Sequence, residues 1–353
     1  MSKRRTLWLF SAMILSVLSM AAAQSLTGAG ATFPFPLYSK MFSVYAQQTG
    51  VKVNYQAIGS GGGQQQLLAR TVNFAASDAP LSDQQLSEFQ AKAGAPVLHF
   101  PMALGAVVMT YNWAPIAKAP SKPLRFDGQV IADIYLGKIT NWNDPAIAAL
   151  NPGVSLPNLP ISVAHRSDGS GTTYTFTDYL SKVSATWKQQ VGTDKAVNWP
   201  VGSGGKGNQG VAGLVKQIPG SIGYVELIYA LQNDMPFATL KNASGNFVVP
   251  SLDSTSVAGD VPVPADGRFD ITNTSAAQGY PIATYTYVLL YREMSLTTDS
   301  LAQAKQVVTL VSWMSTKGQQ YSAGLEYGAL PKRVQDFDAQ QLAKLTYKGQ
   351  PLN

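Results

Sequence analysis

The 353-residue chain has no cysteine, two histidines and a charged fraction of only 13%. Without cysteine there is no disulfide, no thiolate nucleophile and no thiolate metal ligand. His99 and His165 stand far apart, and neither sits in an H-E-x-x-H or other ligand spacing, so no metal site is expected. No G-x-S-x-G elbow is present, which removes the usual setting of a Ser-His-Asp nucleophile. Lysines and arginines form no run with interleaved aromatics, so no nucleic-acid partner is expected. The longest apolar run, Leu7 to Met20, is shorter than the roughly 20 residues that a membrane-spanning helix needs.

That run has another reading. Lys3, Arg4 and Arg5 precede it, and the small residues Ala21, Ala22 and Ala23 follow it. Basic, apolar and small segments in this order predict a cleaved secretory signal over residues 1–23, with a mature start at Gln24; the rival is an uncleaved anchor. The absence of Cys at the junction excludes a lipid anchor there. Loss of Lys3, Arg4 and Arg5 lowers the formal net charge from +6 to +3. The remaining positive charge mildly favours a small anionic ligand.

Beyond the signal, strand-like and helix-like segments alternate, and about 330 residues suffice for two domains. "VKVNYQAI" from Val51 alternates with period two, and "GGGQQQLLAR" after it reads as a helix. "VNFAAS", "ALGAVVMTYN", "ISVAH", "SIGYVE" and "YTYVLLYR" read as strands. "SDQQLSEFQAKAG" reads as a helix capped by Ser82 and stopped by Gly94. "LAQAKQVVTLVSWMS" is an amphipathic helix with Val307, Val308, Leu310, Val311 and Met314 on or near one face. The alternation predicts an α/β fold. The turn-rich stretch from Asn242 to Gly267 is expected to be irregular surface.

Three places join glycine and hydroxyl residues at the entry to a helix. Thr32 follows "GAGA" and precedes Phe33, Pro34 and a helical run; Ser60 lies in "AIGSGGG"; Ser170, Gly171 and Thr172 follow the strand at Ile161. Each hydroxyl is a candidate helix cap. A helix N-terminus exposes unpaired N–H groups and about half a positive charge, so converging N-termini suit a small oxyanion without any lysine. Arg166 adds a planar cation of bidentate geometry. Single steps of this kind are ordinary loop chemistry, and spacing alone does not make them meet. Asp78 either caps the turn before Pro80 or accepts a proton that the ligand still carries. Phosphate is partly protonated near neutral pH, whereas sulfate and molybdate are not. Asp168 either holds Arg166 or caps the following helix.

"VGSGGKGNQG" matches the dinucleotide fingerprint by letter through Gly202, Gly204 and Gly207. Pro200 spoils the strand that should precede it, and no Ser or Thr follows Lys206 to complete a Walker motif. A structural turn into a helix is the better reading, and no cofactor is expected.

With these residues in place, the chain resembles the periplasmic phosphate-binding proteins of Pst phosphate ABC transporters. "LTGAGATFP", "VNYQAIGSGGG", "FAASDAPLS", "DIYLGKITNWNDPAIA", "RSDGSGTTYTFTDYL", "WPVGSGGKGNQGVAG" and "IPGSIGYVE" carry the resemblance in order across nearly all of the mature chain. It implies a type II periplasmic-binding-protein fold, two α/β lobes joined by two hinge crossings near Ala103–Val108 and Ile282–Tyr287. Lobe 1 would be residues 24–105 plus 281–353, and lobe 2 residues 106–280. Phosphate would touch Thr32, Phe33, Ser60 and Asp78 from one lobe. Arg166, Ser170, Gly171 and Thr172 would reach it from the other, with Phe33 and Gly171 acting through backbone N–H. The implied partners are inorganic phosphate and the membrane permease subunits of an ABC importer, with the receptor a monomer in the periplasm. His165 beside Arg166 departs slightly from the family pattern and is expected to be peripheral. Two other readings remain: a secreted phosphoryl-ester hydrolase, for which Ser170 is the best nucleophile, and a receptor for another oxyanion such as sulfate or molybdate.

Overall fold

The computed structural model describes residues 25–114 and 122–352. The expected signal peptide and its cleavage site lie outside them. The described residues start with strand β1 (Ser25–Gly30), helix α1 (Phe35–Thr49), β2 (Lys52–Ala57), α2 (Ser60–Leu68), β3 (Phe74–Ser77) and α3 (Asp83–Ala93), followed by the long strand β4 (Val97–Asn112). Next come β5 (Arg125–Phe126), α4 (Gly128–Tyr135), α5 (Pro145–Leu150), β6 (Ser162–Arg166), α6 (Gly171–Val183) and α7 (Ala185–Gln190). They lead to β7 (Ser203–Gly205), α8 (Gly207–Gln217), β8 (Ser221–Glu226) and α9 (Leu227–Gln232). The last part holds β9 (Thr239–Lys241), β10 (Phe247–Val248), α10 (Leu252–Ala258), β11 (Ala283–Tyr291), α11 (Leu301–Ser315), α12 (Lys332–Leu342), β12 (Thr346–Tyr347) and β13 (Gln350–Pro351).

Hydrogen bonding links eight strands in the order β2-β1-β3-β11-β4-β8-β6-β7. At one end β1 pairs in parallel with β2 and β3; at the other β6 pairs in parallel with β7 and β8. Parallel neighbours need a crossover, and the helices between these strands supply it. β4 joins the two sets. Val97–Ala106 runs antiparallel to β11, and Val107–Asn112 runs antiparallel to β8. The strand therefore changes partner between Ala106, opposite Ala283, and Val107, opposite Glu226. The C-terminal ends of β1, β3 and β6 open toward the region between the two sets, where ligands of open α/β sheets bind.

Burial explains the sequence patterns. β3, β8 and β11 are buried along their whole length, so they read as apolar runs with small or aromatic residues, while β2 alternates. α3 carries the expected Ser82 cap, reinforced by Gln85 into a capping box, and Gly94 ends it at φ 73°. α11 buries Ala304, Val307, Leu310, Val311 and Met314, with Val308 at the margin. Ala258, Phe269 and Ile271 pack in one cluster with Ala75, Leu104 and Tyr285, against β3, β4 and β11.

The stretch from Asn242 departs from expectation, because it contains β10 and α10. Leu-Asp-Ser-Thr-Ser-Val-Ala is a poor helix former. The helix forms through a Ser251–Ser254 capping box and through burial of Thr255 and Ala258, contributions that composition does not reveal.

Close packing of α2 on β1 rests on Gly63. A Cβ there would lie 2.4 Å from the Gly30 Cα and 2.5 Å from the Ala29 carbonyl oxygen. Gly63→Ala should cost about 1–3 kcal/mol through overpacking. Gly213→Ala in α8, with nothing within 4 Å of the added carbon, should be neutral or stabilising by up to about 1 kcal/mol. Urea midpoints of the two variants check this, and equal midpoints would contradict it.

Candidate functional site

The turn between β1 and α1 places Thr32 and Phe33. Thr32 was expected to cap α1, but Pro34 holds the N-cap without a side-chain bond. The Thr32 hydroxyl is turned instead to the second half of the molecule. There it accepts from the Asn208 backbone N–H at 3.1 Å and from Asn208 Nδ2 at 2.9 Å. Asn208 is the second residue of α8. The Thr32 carbonyl accepts from Tyr229 Oη at 2.5 Å, and the Phe33 carbonyl from Tyr327 Oη at 2.6 Å. The Phe33 ring is fully buried and meets the Tyr327 ring edge-on at 6.2 Å.

Ser60 also departs from the capping expectation. Gly59 is the N-cap of α2 at φ 91°, and Ser60 is the first helical residue. Its Oγ accepts from the Asp78 N–H at 3.2 Å and from the Gly171 N–H at 3.1 Å. Beside it, the Gly61 N–H donates to the Gly169 carbonyl at 2.8 Å. The start of α2 and the start of α6 therefore meet backbone to backbone. Gly171 is necessary at this approach: a Cβ there would lie 2.6 Å from each of Asp78 Cβ, Asp78 Oδ2 and Ser60 Oγ.

Asp78 directly follows β3 and is 1% exposed. Its Oδ1 accepts from Thr286 Oγ1 at 2.8 Å, and its Oδ2 lies 3.5 Å from Ser60 Oγ. The carboxyl thus faces the junction of the two halves, rather than capping the turn before Pro80. Burial pushes its pKa up to about 7, against the opposing pull of the Thr286 hydrogen bond and the Arg166 charge.

Arg166 ends β6 and is 3% exposed. Asp168 holds it in bidentate fashion, accepting from Nε at 2.8 Å and from Nη2 at 2.6 Å. Arg166 Nη1 donates to Thr172 Oγ1 at 3.3 Å, and Asn208 Nδ2 donates to the same oxygen at 3.1 Å. Asp168 also accepts from the Gly207 N–H at 3.0 Å. Partial burial would raise the Asp168 pKa, but the hydrogen bonds and charge of Arg166 outweigh it and hold the carboxyl below its usual value. Of the two roles considered for Asp168, holding Arg166 is the one observed.

Hydrogen bonds and packing thus join Thr32, Ser60, Asp78, Arg166, Gly171 and Thr172 at one place. Phe33 contributes only its backbone there. The Ser170 hydroxyl is engaged with its own helix, accepting from the Thr173 N–H at 3.0 Å as the cap of α6. His165 lies to the side, its ring stacked on Trp199 at 4.7 Å and its Nδ1 3.0 Å from the Arg166 carbonyl oxygen. Next to Asp78 opens a cleft of about 560 Å3, lined by Ser82, Gln85, Tyr174, Lys195 and Arg268 among others. Lys195 spans it, donating to Gln64 Oε1 at 2.8 Å.

Two contributions escaped sequence reasoning. The start of α8, read as a structural turn, brings Gly207 to Asp168 and Asn208 to Thr32, adding a further helix N-terminus to the cluster. Its glycine-rich entry resembled the other steps and was the available signal. Thr286 supports Asp78 from within a fully buried strand, where a lone hydroxyl gives no motif. Among the described residues, no group of three or more His, Cys, Asp or Glu side chains is disposed to hold a metal ion. No helix among them is long and apolar enough to cross a membrane.

Residues 18–315 match a PBP superfamily domain. The phosphate-binding protein PstS of Pasteurella multocida is 44% identical over 320 residues, covering 88% of each chain. The phosphate-binding protein PstS of Xylella fastidiosa is 46% identical over 312 residues, 88% of this chain and 82% of the relative. Among solved structures, a high affinity periplasmic phosphate-binding protein bound with phosphate superposes with a TM-score of 0.69 at 22% identity, covering 89% of this chain and 92% of that one. The phosphate binding protein of Stenotrophomonas maltophilia gives 0.68 at 19% identity, covering 90% and 94%. These likenesses establish the two-lobed type II periplasmic-binding fold. The chain belongs to the PBP superfamily and, within it, to the PstS phosphate-binding proteins.

Proposed function

We propose that this protein is a periplasmic receptor that binds inorganic phosphate between its lobes and delivers it to the permease subunits of an ABC importer. The observation that carries the reading is the meeting of Gly171 N–H with Ser60 Oγ beside buried Asp78 and tethered Arg166. Thr32, Phe33, Ser60 and Asp78 are the ligand residues of lobe 1, residues 24–105 plus 281–353. Arg166, Ser170, Gly171 and Thr172 are those of lobe 2, residues 106–280. The partner change within β4 at Ala106–Val107 supports a hinge there. Residues 258–271 belong to lobe 2 by chain order but lie against lobe 1. In this reading the receptor is a monomer.

Closure brings N–H groups from the starts of α2 and α6 onto one small volume and excludes water from it. Each donor then acts in a medium of low dielectric. The ligand favours the closed form because only that form offers contacts from both lobes. Asp78 sets the choice of anion. A phosphate that keeps one proton donates it to the carboxylate; a fully ionised sulfate would leave two acceptors facing each other unpaired. Ser170 is engaged as a helix cap and His165 is stacked on Trp199. Both facts support a receptor over an ester hydrolase.

Calorimetric titration with phosphate, arsenate and sulfate tests the reading. Phosphate and arsenate should bind and sulfate should not; sulfate binding as tightly as phosphate would overturn it, and sustained release of phosphate from an ester would favour the hydrolase. Asp78→Asn should lower the phosphate-over-sulfate preference by roughly ten- to a hundredfold, the loss expected for one hydrogen bond to a charged group.

The raised Asp78 pKa has a second consequence. Between about pH 4 and pH 7 the folded protein keeps a proton that the unfolded chain has released. This stabilisation is complete below the unfolded value and is lost as pH rises through the folded one. In phosphate-free buffer, urea midpoints should fall across that window. Asp78→Asn should flatten the decline in part, since buried Glu226 and Asp338 are shifted in the same direction. An unaltered slope in the variant would refute the assignment.

A further inference from the structure

Tyr327 Oη lies 2.6 Å from the Phe33 carbonyl oxygen and 3.0 Å from Glu226 Oε2. A phenol has one proton to give, and a carbonyl can only accept. The shorter contact claims that proton for Phe33. Two oxygens 3.0 Å apart then need another proton between them, and Glu226 is the group that can supply it. The same Oε2 accepts from the Ile228 N–H at 3.1 Å, and Oε1 is buried without a hydrogen-bond partner. An ionised carboxylate placed so would keep an uncompensated charge on a fully buried side chain.

We propose that Glu226 is held as a neutral acid that donates to Tyr327, which donates to the Phe33 carbonyl, so that this chain of hydrogen bonds fixes the Thr32–Phe33 turn across the lobe boundary. Glu226 ends β8 in the second half, whereas Phe33 and Tyr327 belong to the first. Glu226 is thus a positioning residue, and the proposal rests on the phosphate reading above. Two neighbours complete the clamp. The Glu226 N–H donates to Asn208 Oδ1 at 2.9 Å, and Asn208 in turn donates to the Thr32 hydroxyl. Tyr229 of α9 holds the Thr32 carbonyl. Both carbonyls of the turn are therefore held by phenols, that of Thr32 by Tyr229 from the second half and that of Phe33 by Tyr327 from the first. The titratable groups facing Glu226 are Asp78 from β3, Tyr229 from α9 and Tyr327. Burial first, and the charge of Asp78 in addition, push the Glu226 carboxyl well above its ordinary range, against the hydrogen bond from the Ile228 N–H.

The test uses Glu226→Gln, whose amide can still donate to Tyr327 but then loses the bond from the Ile228 N–H, and Tyr327→Phe, which breaks the chain. The protein has no cysteine, so spin labels at Lys92→Cys and Lys188→Cys, both exposed and one in each half, report lobe separation directly. Without any anion, Tyr327→Phe should shift the distance distribution toward longer values, and Glu226→Gln should shift it less, keeping the bond to Tyr327 and losing only that from the Ile228 N–H. Phosphate affinity should fall about tenfold or more in Tyr327→Phe, one hydrogen bond being at stake, and fall by less in Glu226→Gln. Raising the pH should lengthen the parent's distances as Glu226 ionises, and lengthen them less in Glu226→Gln, where Asp78 is left to ionise at the seam. Lobe separation that is the same in Tyr327→Phe as in the parent, or that responds equally to pH in the parent and Glu226→Gln, overturns the proposal. If Tyr327→Phe does not fold, the pH comparison alone decides. Should the parent bind no phosphate, the functional reading falls while the distances still judge Glu226.

Discussion

A carboxyl removed from water dominates this structure. Asp78 sits at the end of a fully buried strand and faces the seam between two halves of the chain. Desolvation of a charge is costly unless donors replace the lost water. Thr286 supplies one donor from β11 and Ser60 stands close from α2, so two separate elements are positioned around one side chain. Gly171 completes the enclosure from the opposite half, since any side chain there would strike Asp78 itself. The carboxyl is both the reason for the tight approach and the feature that would discriminate among guests.

The attractive field around it is built with little formal charge. Arg166 is the cation of the cluster, and Asp168 neutralises much of it while fixing its plane. What remains comes from backbone dipoles: the starts of α2, α6 and α8 all face the seam. N–H groups at helix starts are rigid donors that need no reorganisation when a ligand arrives. Such a design agrees with a chain in which few residues are charged.

Two strands carry the mechanical link. β4 lends one end to each half, and β11 pairs with the first part of it. Across this link, buried hydrogen bonds of Asn208, Tyr229 and Glu226 reach the Thr32–Phe33 turn or the phenol that holds it. In the proposed receptor, contacts of the ligand and contacts between the lobes would act on the same few backbone atoms and couple closure to binding.

Much of the local structure was legible in the residues alone. Helix α3 announced itself through Ser82 and Gly94, and β8 through an apolar run between turn residues, because caps and periodicity are properties of neighbours in sequence. The glycine-hydroxyl steps at Thr32, Ser60 and Ser170 were visible for the same reason. Where their hydroxyls point was not: only Ser170 caps its helix, while Thr32 and Ser60 turn to partners more than a hundred residues away. The meeting of α2 with α6, the support of Asp78 by Thr286, and the arrival of Asn208 at Thr32 are long-range events. They follow from how the strands order themselves in the sheet and how closely glycine lets two backbones approach, and neither is encoded in any short window of the chain.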